Sequence, residues 1–236
     1  KKNINYYPPN LLNYLDLVAL ATVCDLVKLD FMNRAFVKQG LKVMNNSKND
    51  GLLSLIDESG IKEKVSCYHL GYVIGPRINA GGRVGKSSKG TELLISSDKN
   101  LNLLMAKQLN EYNVLRKKIE FQVEKEAICQ VDDNSSVICV NSDNWHPGVI
   151  GIVASKLVEK FNKPSIVISE NIDICKASCR SLNDFDIGNL IIEAVENNII
   201  ETGGGHKMAG GFSVKKNKID ELKNFLKNKY NPKTFE

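Results

Sequence analysis

The chain has 236 residues, 42% of them hydrophobic and 25% charged, proportions that indicate neither a disordered chain nor a membrane protein. Its longest apolar stretch, residues 15–27, is broken by Asp16 and Asp25 and falls short of the roughly 20 residues that a bilayer span takes. A net charge of +5 is moderately basic and directs attention to polyanionic partners, and residues 1–9 lack the apolar core of a secretory signal, so the expected location is the cytoplasm, with no membrane partner. Cys24, Cys67, Cys129, Cys139, Cys175 and Cys179 form no Cys-x-x-Cys pair; they read as reduced, mostly buried thiols, the alternative being a zinc site shared with His69, His146 or His206.

In chain order, residues 11–29 set an apolar face against a few polar positions, and the first half of the stretch predicts a buried helix. Within it Asp25 sits among apolar neighbours, where a carboxylate is costly unless it is hydrogen-bonded or binds a cation; a capping aspartate is the other reading. Ala35–Met44 is amphipathic, with Phe36, Val37, Leu41 and Met44 on one side, and predicts a helix ending near Asn45-Asn46. A polar turn over 47–51 precedes a short helix over Leu52–Ser59, and 66–75 predicts a short strand or helix.

Residues 74–85 are punctuated by glycine and proline and predict a sharply bent segment presenting Arg77, Asn79 and Arg83. Guanidinium forks match phosphate oxygens, so this is phosphate chemistry by residue type; a loop with two solvated arginines is the plain alternative. After a helical turn at 90–97 comes the longest helical pattern, 99–130, with Leu101, Leu104, Tyr112, Leu115, Ile119, Val123 and Ala127 on its expected apolar side and Gln108 as a polar hole. It would extend about 45 Å, as a spacer between two bodies or as a coiled-coil helix.

The last hundred residues alternate strand and helix: strands at 137–140, 165–169, 174–181 and 211–214, helices at 149–161, 186–196 and 218–229. The pattern predicts an α/β unit with a sheet covered by helices. On the third strand Lys176, Ser178 and Arg180 share a face. Residues 203–211 hold five glycines and His206. Glycine is costly in a regular element, so the run predicts bent backbone, either a tight turn between helix and strand or a place where main-chain N–H groups turn toward a phosphate.

Five motifs then occur in one order: Tyr-Leu-Asp-Leu-Val-Ala-Leu-Ala-Thr-Val-Cys-Asp-Leu-Val at 14–27, Ile-Gly-Pro-Arg-Ile-Asn-Ala-Gly-Gly-Arg at 74–83, Trp-His-Pro-Gly-Val-Ile-Gly-Ile-Val-Ala-Ser at 145–155, Ser-Cys-Arg-Ser at 178–181 and Gly-Gly-His-Lys-Met-Ala-Gly-Gly at 204–211. In this order they resemble the RecJ family of single-strand-specific 5′ to 3′ DNA exonucleases, within the DHH/DHHA1 phosphoesterase superfamily. The resemblance covers nearly the whole chain. It implies an α/β protein made of a C-terminal remnant of a DHH domain (1–98, with the Arg/Gly substrate segment), a long connecting helix (99–131) and a DHHA1 domain with a mixed sheet (132–236).

Residue by residue, the resemblance implies that Asp25 is a metal ligand, that Arg77, Asn79 and Arg83 approach the DNA backbone, and that Ser178 and Arg180 grip the 5′ phosphate. Gly204, Gly205 and His206 match the glycine motif, with His206 placed to polarise the substrate or stack near it. The implied chemistry is metal-dependent phosphodiester hydrolysis with Mn²⁺ or Mg²⁺ in DNA repair and recombination, and the implied partner is single-stranded DNA. Two metals take several carboxylates and histidines. The family draws most of them from an Asp-x-Asp strand end and an Asp-His-His triplet; this sequence has no Asp-His-His, and its one Asp-x-Asp, at 184–186, falls in the 132–236 domain and not in the metal-binding one, so the chain resembles a middle-to-C-terminal portion of the enzyme. The expectation is therefore inactivity alone, completion by a separate chain carrying the missing DHH half, or a non-catalytic single-strand-binding role. The oligonucleotide and cyclic-dinucleotide phosphodiesterases of the superfamily are the further alternative.

Overall fold

The computed structural model describes residues 9–229, so the N-terminal stretch considered for a targeting signal lies, Pro9 apart, outside the described residues. The chain divides into two compact units, residues 1–115 and 116–236.

In the first unit a 3-10 turn, Leu11–Tyr14, leads into α1 (Leu15–Cys24), α2 (Phe31–Met44) and α3 (Asp50–Glu58). Side-chain acceptors set two of the starts: Asp30 takes the Asn33 N–H and Asn49 the Leu52 N–H. The Asp30 cap is why α2 begins four residues ahead of the expected Ala35. The helix expected in the first half of 11–29 runs to Cys24. Leu26 is left-handed at φ 53°, and the Leu26 and Val27 N–H groups return to the Val23 and Thr22 carbonyls, a closing pattern usually built on glycine. Asp25 therefore lies at the helix end and is exposed, which corrects the apolar setting that its sequence neighbours suggested. The buried acid of α1 is Asp16, 3% exposed, whose Oδ2 accepts from Ser47 Oγ at 2.8 Å.

The segment expected to bend sharply is instead helical: a π-helical stretch, His69–Ile74, runs directly into α4 (Gly75–Val84). Pro76 has no N–H for a carbonyl four residues back, and the wide π turn just before it re-spaces the ladder. His69 fixes the start of this rod, its Nδ1 3.1 Å from both the Ser66 N–H and the Ser66 Oγ. After α5 (Lys89–Ile95), the long helix α6 (Lys99–Cys129) begins. Ala19, Leu20, Met44, Leu52, Leu55, Leu70, Ile74 and Leu93, joined by Met105, Ala106 and Leu109 of α6, form the core of this unit.

The buried side of α6 departs from expectation. Leu101, Leu104 and Leu115 are exposed, whereas Asn102, Met105, Ala106, Leu109, Asn113, Arg116, Glu120, Val123 and Ala127 are buried. The inward stripe thus includes polar residues, and bonding compensates much of their burial: Asn102 Nδ2 donates to the Ser96 carbonyl, and Glu120 pairs with Arg116 and, at 2.6 Å, with Lys156. A hydrophobicity pattern passes over such positions.

The second unit is a five-stranded mixed sheet: β1 (Ile138–Ser142), β2 (Ser165–Ser169), β3 (Ile174–Arg180), β4 (Thr202–His206) and β5 (Ala209–Lys215), in the order β1-β2-β3-β5-β4. β1 and β2 are parallel across the crossover helix α7 (Ile150–Phe161); the other pairs are antiparallel. Ile166, Ile168, Cys175, Ala177, Cys179, Phe212 and Val214 face a core completed by α8 (Ile187–Glu196) and by Ile219, Leu222 and Leu226 of α9 (Ile219–Lys229). Because strand side chains alternate, Lys176, Ser178 and Arg180 face the other way, toward α7. Trp145, buried before α7, donates Nε1 to Glu126 Oε2 at 2.8 Å, and its carbonyl accepts from Ser169 Oγ. Of the cysteines only Cys175 and Cys179 are buried; Cys24 and Cys139 are half-buried and Cys67 and Cys129 exposed, so the expectation of mostly buried thiols fails.

The glycine run is not an irregular turn but the hairpin β4–β5, with Gly210 and Gly211 on an internal strand. Its two faces explain how. On one side a Cβ at Gly203 would lie 2.7 Å from both Ile191 Cγ2 and Phe212 Cβ, and one at Gly210 would lie 2.4 Å from Ile191 Cδ1, so glycine lets α8 press onto the hairpin. On the other side a Cβ at Gly204 would meet nothing within 4 Å.

Two stability outcomes follow from this packing. Leu26→Gly should stabilise the first unit by about 1 kcal/mol, since Leu26 is 89% exposed and only its left-handed backbone is relieved. Gly203→Ala should cost about 1–3 kcal/mol through overpacking, whereas Gly204→Ala should change stability by less than about 0.5 kcal/mol; urea unfolding of each variant measures both.

Candidate functional site

Sheet register decides which side chains meet, because residues directly opposite across a ladder point to the same face. Arg180 lies opposite Ala209, and Ala209 opposite His206. Ser178 lies opposite Gly211, and Gly211 opposite Gly204. Two adjacent rows therefore cross the sheet, Arg180–Ala209–His206 and Ser178–Gly211–Gly204. A third row, Lys176–Ser213–Thr202, follows and is closed by a 2.8 Å hydrogen bond from Lys176 Nζ to Ser213 Oγ. The middle of this surface carries almost no side chain, and polar groups stand at its ends.

The first turn of helix α7 lies against these rows. A Cβ added at Gly151 would lie 2.9 Å from Ser178 Oγ and 3.4 Å from Arg180 Nη2, so the first turn of α7 approaches both side chains with only hydrogen between. Val149 at the N-cap supplies no side-chain acceptor. The opening N–H groups of a helix lack carbonyls one turn back and form its positive end. The loop before α7 is shaped by His146, whose Nδ1 accepts from the Gly148 N–H at 3.0 Å and whose carbonyl accepts from the Val149 N–H. Arg180 Nη1 donates to the Cys179 carbonyl at 2.8 Å, which orients the guanidinium along the strand edge. The hairpin tip is clipped down by the Ser181 N–H on the Met208 carbonyl and the Ile187 N–H on the Lys207 carbonyl. His206 is exposed beside that tip. Cys179, on the opposite face, is buried and its thiol is pushed up by burial, so it takes no part in this chemistry.

The expected site residues of this unit thus separate by face. Ser178, Arg180, Gly204 and His206 share one. Gly205, like Gly203, points to the other, where its missing side chain serves contact with the Ala209 carbonyl and Gly210. The Gly151 end of α7 did not emerge from the sequence as part of the site, although the paired glycines at 148 and 151 carried its signal.

In the first unit, Asp25 and Asn79 line one cavity of about 250 Å³ with Leu17, Leu20, Ala21, Cys24, Gly75, Ile78 and Leu94. Cys24 brings them together, its Sγ 3.5 Å from the Leu70 carbonyl and packed where a Gly75 side chain would stand. Burial raises the Cys24 thiol, with Asp25 adding to the effect. Asn79 and the half-buried Arg83 are four residues apart on α4 and share a side. Arg77 is elsewhere on the helix and is engaged: Nε donates to Asn110 Oδ1 at 3.0 Å and Nη1 to the Val73 carbonyl at 2.8 Å. Burial lowers its guanidinium against the opposing pull of Glu58. Among the described residues no three His, Cys, Asp or Glu side chains gather closely enough to hold a metal ion. Asp25 is a single carboxylate where a two-metal centre takes several, so the described residues do not fit such a centre by themselves.

Known proteins match this arrangement. Residues 134–231 match the DHHA1 domain family. The chain is 33% identical over 230 residues to the single-stranded-DNA-specific exonuclease RecJ of Salmonella typhimurium; the match takes in 92% of this chain but only 40% of that protein's length. The structure of RecJ in complex with Mn²⁺ from Thermus thermophilus superposes with a TM-score of 0.85 at 29% identity, covering 93% of this chain and 33% of that one. The corresponding RecJ structure in complex with Mg²⁺ gives the same score over 34% of its chain. Residues 134–231 thus form a DHHA1 domain, and the chain as a whole is similar in sequence and structure to a part of RecJ.

Proposed function

We propose that this chain is the substrate-holding part of a metal-dependent 5′ to 3′ single-stranded DNA exonuclease that acts in DNA repair and recombination in the cytoplasm. The observation that carries the proposal is the pair of rows Arg180–Ala209–His206 and Ser178–Gly211–Gly204, set against the first turn of α7. A guanidinium and a hydroxyl lie there against the positive end of a helix, a set suited to a phosphate dianion at a 5′ end. The glycine floor gives a sugar–phosphate chain room to lie flat, and His206 stands where it can donate to a phosphate oxygen or lie against the next nucleotide.

On this reading residues 1–98 are the C-terminal part of a DHH domain, 99–131 its connecting helix and 132–236 the substrate-binding domain. Asn79 and Arg83, with Arg77 behind them, meet the DNA backbone, and Asp25 supplies one ligand to Mn²⁺ or Mg²⁺. The chemistry that such a metal would supply, when bound, is activation of water and neutralisation of the leaving oxygen. The remaining ligands come from polypeptide carrying the other half of the DHH domain. Holding the 5′ end does not depend on them: Ser178, Arg180, His206 and the first turn of α7 all lie within residues 116–236. That independence also favours a second reading, in which the chain binds single strands without cutting them.

Two measurements test the proposal. Arg180→Ala should weaken binding of a 5′-phosphorylated oligo-dT about tenfold and flatten the plot of log affinity against log salt by about 0.7. An unchanged slope in fluorescence anisotropy across salt concentrations would count against Arg180 as a phosphate contact. The 1–236 polypeptide with Mn²⁺ should release no nucleotides from labelled single-stranded DNA; steady release would show that its metal centre is complete.

A further inference from the structure

On the first unit, Tyr68 and Tyr72 stack on one another with ring centroids 5.3 Å apart and planes inclined by 26°, yet they remain 63% and 74% exposed. Two large rings held face to face in water are not there for the core. The core residues of the same rod, Leu70 and Ile74, point the other way and are fully buried. The backbone beneath the rings is fixed: His69 is tied to Ser66, and its Nε2 lies 3.2 Å from Glu63. Edge-on contact of His69 with Tyr68, at 5.7 Å, adds to that support. The pair is therefore a rigid aromatic surface, which loses little conformational freedom when something flat lies against it.

The helical rod continues this face. The π stretch and α4 are contiguous, and spacings of four, three and four carry the exposed side from Tyr72 through Pro76 and Asn79 to Arg83. Asn79 is exposed and Arg83 half-buried. Near this face the chain carries Lys62, Lys64 and Arg83, with Glu63 between the two lysines, and Lys62 and Lys64 are exposed; Arg77 is turned away to Asn110, and Lys86 is paired with Glu92 at 3.1 Å. Exposed aromatic rings followed by a polar and cationic stripe are the chemistry of a single-strand track: bases have π faces that stack on tyrosine without regard to sequence, and cations neutralise the backbone.

We propose that Tyr68 and Tyr72 form a base-stacking platform for single-stranded nucleic acid, with the strand running along the Tyr72–Asn79–Arg83 side of the rod. This rests on the single-strand reading of the chain and adds to it a named contact with bases, where the sites above take phosphates.

The test compares the 1–236 chain with its variants on two fluorescein-labelled probes of equal length and charge, a dT 15-mer and a 15-mer of abasic sites, by anisotropy at low salt. The parent should bind dT about tenfold more tightly than the abasic strand. Tyr68→Leu with Tyr72→Leu should remove most of that preference and leave abasic binding within twofold, while Tyr68→Phe with Tyr72→Phe keeps it. If the leucine variant holds dT as the parent does while Arg180→Ala still weakens it, the platform is refuted and the phosphate site stands; the rings then belong to a protein contact. Equal weakening on both probes also refutes stacking. Failure of the parent to bind either probe overturns the single-strand reading together with this one.

Discussion

The register of three strands, β3 with β5 and β5 with β4, is the constraint on which the rest of the second unit depends. A slip of one residue would turn Ser178 and Arg180 into the core and bring Cys179 out. Several features resist that slip. The buried face of β3 packs Cys175, Ala177 and Cys179 under α8 and α9, the hairpin tip is clipped to Ser181 and Ile187, and Ile191 of α8 fills the space left by Gly203 and Gly210. Packing on one face thereby sets the chemistry of the other.

That division gives the glycines two separate reasons. Gly203, Gly205 and Gly210 are small because protein lies against them. Gly204 faces open space, so nothing within the chain requires its smallness, and its side of the hairpin is the side carrying Arg180 and His206. A surface bare at its centre, with donors at its ends, admits a phosphate chain that bulkier residues would hold off. The first turn of α7 completes it, since a helix start supplies positive potential without a charged side chain to desolvate.

The first unit is built on helix ends and on one irregular rod. Closing α1 at Cys24 puts Asp25 in reach of solvent, and Cys24 against Gly75 places that end beside Asn79. The π turn before Pro76 keeps the rod continuous, so the polar residues of α4 and the tyrosines ahead of it share a line. What looked like a phosphate-binding bend became a continuous helical presenting element, which suits an extended ligand better than a single anion.

By itself the sequence determined the α/β alternation of the last hundred residues, the extent of α6, the face shared by Lys176, Ser178 and Arg180, and the family. These rest on short-range periodicity and on motifs read along the chain. It did not determine the state of the glycine-rich segments, because propensity speaks against glycine in regular structure, and only packing against Ile191, Cys24 and neighbouring strands overrides it. Nor could it place Asp25, whose exposure turns on a left-handed Leu26, or the inward face of α6, where Asn102, Arg116 and Glu120 are buried through hydrogen bonds and ion pairs that a hydrophobic pattern cannot register. The meeting of Gly151 with Ser178 and Arg180, and of Asp25 with Asn79, joins residues far apart in the chain, and such proximity exists only once tertiary structure has formed.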